Sequence, residues 1–316
     1  VYKRQVGCDN PSSRAAPLKE PRAATFAKIA QPSKSGIVMF KLSEQMMFNH
    51  FYFIEICPAL SLGHTKAGHG PEEHNMIEHR PFKSLGGANH GWLNAKHHFS
   101  FAGYHDSARM GWGRLRVWND DHIAAGAGFP PHPHENMEII TYVRKGAITH
   151  RDNLGNHGRT EAGDVQVMSA GTGITHSEFN LENEATELFQ IWILPSSRGH
   201  APSWGTRPFP KDGREGKFVT LASGFAEDVE ALKIHAEARL SGATLKKGER
   251  VSYDLTPERH AYLVPATGKV SVNGLTLNER DGAAITGETS IAIEALEDAE
   301  LVLAVSYTHL RAHETV

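Results

Sequence analysis

Four side chains with the chemistry of metal ligands occur as two pairs. In "GFPPHPHENMEII" (128–140), His132 and His134 stand one residue apart, and in "GITHSE" (173–178), His176 and Glu178 repeat that spacing. In an extended strand, residues i and i+2 project from the same face. Prolines at 130, 131 and 133 keep the first segment extended and out of helix. Each segment therefore offers two ligand-type groups side by side. If a sheet brings the segments together, three imidazoles and a carboxylate converge, a nitrogen and oxygen set suited to hard-to-intermediate divalent ions. One His-x-His alone is a weak signal. Two such pairs, separated by a strand–turn–strand hairpin and set among apolar strands, are far more specific.

The elements that must position these pairs read as short strands between glycine turns. "EIITYVR" (138–144) runs into Gly146, "AITHRD" (147–152) into the turn "NLGNHG", and "AGDVQVMSAGTG" (162–173) is strand between glycines. "ITHSEFN" (174–180) is extended, and "ELFQIWILP" (187–195) is an apolar run stopped by Pro195. Strands at this spacing predict an antiparallel sandwich or barrel. "PSSRGHAPSWGTRPFPKDGREG" (195–216) has no apolar period and reads as a long ordered linker. A second run of strands follows, including "GKVSVNGLTL", a hairpin with Asn-Gly at its turn. Each half is long enough to bury its own core.

The chain has 316 residues, 40% hydrophobic and 22% charged, with a formal net charge of −3, which is ordinary globular composition. No Lys/Arg run exceeds "LKKGER", so direct nucleic-acid binding is not expected. Cys8 and Cys57 both precede the region that reads as folded and do not read as a disulfide framework, so any metal in the folded region is expected to be held by nitrogen and oxygen. No stretch reaches the ~18 uncharged apolar residues of a membrane span, and a cytoplasmic location is expected. Residues 1–75 lack sustained periodicity. Their opening "VYKRQ" and the closing "SYTHLRAHETV" (306–316) resemble translated adapter text, so a disordered or non-native leader and a non-native tail are expected, with Met76 as the natural start.

"FPPHPHENMEIITYV", "AITHRDNLG" and "AGDVQVMSAGTGITHSE" resemble the pirin family in its bacterial branch, within the cupin superfamily. The likeness covers 76–305 and is strongest from Gly111 to Pro210. It implies an all-β bicupin of two stacked antiparallel β-barrels (double-stranded β-helices) with little helix. Residues 76–198 would be the N-terminal metal-binding cupin domain, 199–216 the linker, and 217–305 a C-terminal cupin domain without metal, since that half has no His-x-His. By the same resemblance the ligands are His132, His134, His176 and Glu178, holding one divalent ion. Fe(II) is the first expectation, with Ni, Mn, Co, Cu or Zn as alternatives. Many cupins use the glutamate four residues after the second histidine, here Glu138. Pirins use the carboxylate two after the third histidine, which places Glu138 beside the site as a supporting or fold residue.

Four protein ligands leave open positions on a six-coordinate ion. The resemblance thus implies a quercetin (flavonol) 2,3-dioxygenase, with dioxygen and a flavonol-like substrate and Glu178 as the group that takes the hydroxyl proton. The family also includes metal- and redox-sensitive regulators that bind transcription factors or metabolic enzymes. A cupin isomerase or a dioxygenase for another enol is a third reading. A monomer is expected. Among the surrounding residues, His150 reads as a surface histidine beside a turn and His157 as a turn residue. Asn180 reads as structural, and Trp112, Trp118, Phe129 and Trp192 as core. Arg114 and Arg116 share one strand face, as a salt-bridged surface or a partner-binding face.

Overall fold

A computed structural model describes residues 76–307, which form strands joined by turns. The helices among them are two short 3₁₀ turns, Phe82–Ser84 and Lys211–Arg214. In the N-terminal half, a seven-stranded sheet runs in the order Ser203–Arg207, Val165–Ser169, Glu138–Lys145, Thr186–Ile193, Leu115–Ile123, Leu93–His97, Gly86–Asn89. A four-stranded sheet runs Gly128–His134, Ile174–Phe179, Ala147–Asp152, His157–Glu161. The C-terminal half repeats the plan. Its larger sheet is ordered Met76–Arg80, Gly282–Thr286, Arg259–Thr267, Ala299–Tyr307, Ala238–Leu245, Val219–Ser223, Leu232–Lys233. Its smaller sheet is Arg250–Asp254, Ser290–Ala295, Val270–Val272, Leu275–Leu277. The described residues are all-β, two halves of one build, as the resemblance implies.

The central strands are buried on both faces, which is why they read as continuous apolar runs rather than alternating ones. Glu138–Lys145 shows the division of labour. Ile139 and Val143 turn inward, toward the smaller sheet of their own half. Ile140 and Tyr142 turn outward, into a core shared with Leu221, Leu240, Tyr262 and Val302 of the C-terminal half. The two large sheets thus pack back to back, and Trp118, Phe189 and Tyr262 meet there with ring centroids 5.4–5.5 Å apart. Removing Ile140 would cost about 2–5 kcal/mol, as for other fully buried aliphatics. In the C-terminal half, the space between the sheets is filled by aliphatic side chains, among them Leu263, Ile285, Leu301, Val270, Ile291 and Ile293.

Three boundaries differ from the sequence reading. Met76–Arg80 pairs with Gly282–Thr286, so the first described strand belongs to the C-terminal sheet, not to the N-terminal half. Ser203–Arg207, inside the expected linker, pairs with Val165–Ser169 and completes the N-terminal sheet. Arg214, at the end of the same segment, is buried with its guanidinium on the Tyr142 hydroxyl. The open backbone edge of Val165–Ser169 supplies the reason: an edge strand presents unpaired N–H and C=O groups that the returning chain covers. Finally, Ser306 and Tyr307 continue the last strand, and Ser306 Oγ accepts the Arg114 backbone N–H. The remaining leader and tail expectations, for 1–75 and 308–316, and those for Cys8 and Cys57, lie outside the described residues.

Candidate metal centre

The two histidine pairs meet in the smaller N-terminal sheet. Gly128–His134 and Ile174–Phe179 are antiparallel neighbours, with His176 opposite His132 and Ile174 opposite His134. The register shifts between His176 and Glu178, so that Glu178 lies opposite Phe129. Two residues on one strand are matched by three on the other, and the extra residue falls at Pro130–Pro131. Neither proline has an N–H to give the ladder, so the irregularity costs little there. Its consequence is that Phe129 and His132, three apart, are both buried, where strict alternation would put them on opposite faces.

His132, His134 and His176 each offer a nitrogen within 4.8 Å of the others. Their ring centroids are 4.4–5.1 Å apart. Burial holds all three imidazoles below their ordinary pKa, His134 to about 3, and for His176 the neighbouring rings add to the effect. They are neutral at physiological pH, the form that ligates. His132 Nδ1 lies 2.7 Å from the Pro130 carbonyl, so Nδ1 carries the proton and Nε2 keeps its lone pair.

A second group, His150, His176 and Glu178, also converges within 4.8 Å, with His176 common to both. His150 is fully buried, which corrects its reading as a surface histidine. Its Nε2 is 3.0 Å from Asp152 Oδ2, and its Nδ1 is 3.3 Å from Nδ1 of His176. Asp152, held below the usual carboxylate range by His150 and Asn156 despite its burial, only accepts. His150 therefore donates through Nε2 and accepts at Nδ1, and His176 donates through Nδ1. That leaves a lone pair on His176 Nε2, which is buried and has no hydrogen-bond partner. The Trp204 indole stacks on His150 at 4.7 Å with planes 10° apart. The tryptophan comes from the segment expected to be linker. "THRD" carries the same i, i+2 pattern as the other two pairs and was the available signal for His150 and Asp152.

Glu178 is buried at the inner side of this group. Gln166 Nε2 donates to its Oε1 at 2.6 Å, Thr141 Oγ1 to the same oxygen at 3.3 Å, and Gln190 Nε2 to Oε2 at 3.3 Å. Burial nevertheless outweighs these donors and pushes the carboxyl up to about 7. Glu138 points away from the histidines, on the outward face of its strand with Ile140 and Tyr142, and takes a 2.5 Å hydrogen bond from Ser169. It is a fold residue.

A cavity of about 520 Å³ opens beside the histidines, lined by His132 and His134 on the smaller sheet and by Trp192, Gln190, Asn119 and Asp121 on the larger. Trp192 is wall as well as core: its ring lies 5.0 Å from that of His134. Phe129 also lines the cavity, while Trp118 is wholly core and Trp112 packs against the shared core. Asn180 is structural, its amide spanning the carbonyls of Ile123, Ala124 and Glu184. His157 is exposed at the start of the edge strand His157–Glu161. Arg114 is buried and Arg116 half-buried, and their guanidinium groups donate to the carbonyls of Pro195 and Ser100 respectively.

The Pirin family model matches residues 78–193, and the model described as quercetinase C-terminal cupin domain matches 220–304. A pirin-like protein of Caulobacter vibrioides is 68% identical over 228 residues, which is 72% of this chain and 98% of that protein. This chain belongs to the pirin family. A relative named quercetin 2,3-dioxygenase, from Escherichia coli K12, is 42% identical over 229 residues, 72% of this chain and 97% of its own length. The bacterial pirin YhhW of Escherichia coli, solved in complex with nickel(II), superposes with a TM-score of 0.70 at 41% identity, covering 74% of this chain and all of that one. This pirin's histidine cluster therefore lies in a fold that binds a divalent metal in a relative.

Proposed function

We propose that this pirin is a metal-dependent dioxygenase that opens the enol-bearing ring of a flavonol such as quercetin. The observation that carries the reading is the convergence of His132, His134 and His176, with Glu178 next to them, beside a cavity of ligand size that His132 and His134 line. The donor set fits a divalent ion: three neutral imidazoles, one of them with an orphaned buried nitrogen, and a carboxylate. His132, His134, His176 and Glu178 are the proposed holders, with Fe(II) first and nickel next. Such an ion supplies Lewis-acid polarisation of a substrate oxygen and redox access to dioxygen.

The chain's own residues do the rest. Trp192, Phe129, Phe101 and Met137 give the cavity apolar walls that fit a planar aromatic and exclude water. Glu178 is the carboxylate assigned to take the proton of the enol hydroxyl. Gln166 and Gln190 hold its two oxygens in place, so the proton is received at a fixed atom. The relative named quercetin 2,3-dioxygenase supports the substrate class. The test is to purify the protein, quantify bound metal, and follow quercetin absorbance with and without oxygen. Oxygen-dependent loss is expected; none at full occupancy with iron, nickel, manganese or copper would overturn the assignment.

A further inference from the structure

The larger-sheet wall of the cavity carries a carboxyl outside the proposed metal group, with one oxygen unpartnered among the described residues. Asp121 lines the cavity, is 2% exposed, and has a buried Oδ1 with no hydrogen-bond partner. Orphaned buried polar atoms are rare in native proteins and call for an explanation. The adjacent Asp120 does not share the problem. It turns to the opposite face and is paired with both Arg144 and Arg280. Asp121 could have been paired in the same way and is not.

Its surroundings leave room for a ligand. The residue opposite Asp121 on the neighbouring strand is Ala95, and the one opposite Ala95 on the next strand is Ala88. Both alanines line the cavity, so the sheet beside Asp121 presents a slot floored by methyl groups. Asn119, two residues earlier on the same face, lines the cavity too and binds His97 Nδ1 through its Oδ1 at 2.9 Å. The polar groups of this wall are thus gathered at one place, on the other sheet from His132, His134 and His176.

We propose that Asp121, flanked by Asn119 and His97, is a second recognition point that hydrogen-bonds a hydroxyl of an aromatic ligand, and so selects hydroxylated rings. The inference rests on the cavity being the substrate site proposed above. Asp121 Oδ1 is an acceptor with no donor among the described residues, and a phenol O–H on a ligand in the cavity supplies one. The carboxyl transfers no electrons and makes no covalent bond in this role; it positions the ligand.

The test measures dissociation constants with the metal-loaded protein for two ligand pairs. Quercetin is set against 3-hydroxyflavone, which keeps the enol but lacks the other hydroxyls. Resorcinol, a 1,3-diol unable to chelate, is set against toluene. Wild type is expected to favour the hydroxylated member of each pair by about tenfold or more, the worth of a hydrogen bond to a buried polar partner. Asp121→Leu is expected to erase that preference while leaving 3-hydroxyflavone and toluene within about twofold. Asp121→Asn, which keeps the shape and a polar head should the leucine variant fail to fold, is expected to give an intermediate preference. If wild type binds neither flavonol yet favours resorcinol and loses that preference in the variants, the flavonol reading fails and this one stands. Absence of any preference in wild type, an unchanged preference in the variants, or equal weakening of both members of each pair overturns it.

Discussion

The chain Asp152–His150–His176 predicts that a residue outside the proposed ligand set controls metal affinity. Replacing His150 by leucine removes the acceptor of the His176 Nδ1–H, now 3.3 Å from His150 Nδ1. That N–H is buried, so losing its partner costs about 1–3 kcal/mol unless the proton moves. Moving it to Nε2 satisfies nothing and occupies the nitrogen that must ligate. Either way the ligating tautomer is disfavoured, and metal affinity should fall about 10- to 100-fold, or about 1.4–2.7 kcal/mol. Asp152→Asn keeps an acceptor for His150 Nε2 and should cost less than about tenfold. His150→Gln, whose carbonyl can still accept, should recover part of the loss. The assay is competition for nickel(II) against a chromophoric chelator, with thermal unfolding followed in parallel. A folded His150→Leu protein that binds nickel within about twofold of wild type would refute the tautomer argument.

The other predictions follow from the same geometry. His176→Ala should abolish stoichiometric metal binding, whereas Glu138→Gln should leave occupancy unchanged and lower stability by about 1 kcal/mol through its Ser169 bond, read by metal analysis and denaturant unfolding. In the metal-free protein, burial raises the Glu178 carboxyl from its ordinary 4.5 to about 7, so the fold binds its proton more tightly than the unfolded chain. Its contribution is complete below the unfolded value and is lost as pH rises toward 7. The buried histidines, with depressed pKa values, act in the opposite sense and lose stability as pH falls below about 6.5. The difference between wild type and Glu178→Gln isolates the carboxyl, and a flat difference between pH 4.5 and 7 would contradict its burial. Gly158→Ala would place a methyl 2.3 Å from the Trp204 ring, displacing it from His150. Reduced stability and weaker nickel binding are expected, by calorimetry and the same competition assay.

The convergence of ligand-type side chains was legible because its signal is local. His132/His134 and His176/Glu178 are each set by a spacing of two within a strand, and that spacing can be read without knowing the fold. His150 and Asp152 carry the same spacing but stand beside a turn, and nothing in one strand says which of its faces is covered. Trp204 could not be foreseen at all, because its partner lies about fifty residues earlier and the segment around it has no apolar period. Glu138 is the converse case. Its interval from His134 suits a ligand, but the strand's alternation turns it to the face packed against the C-terminal half.

By itself the sequence determined the strand-and-turn texture, the two-half plan and the pairing of ligand-type residues, because period, turn residues and i, i+2 spacing are properties of neighbouring positions. Only the tertiary structure decided which strands close each sheet, with Met76–Arg80 passing to the C-terminal half and Ser203–Arg207 returning to the N-terminal one. It also decided which face each polar side chain occupies. The slip at Pro130–Pro131 buries His132, and beside the Ala88–Ala95 slot Asp121 Oδ1 has no partner among the described residues. Those outcomes depend on register and on what lies across the sheet, and backbone hydrogen bonding between distant segments fixes both.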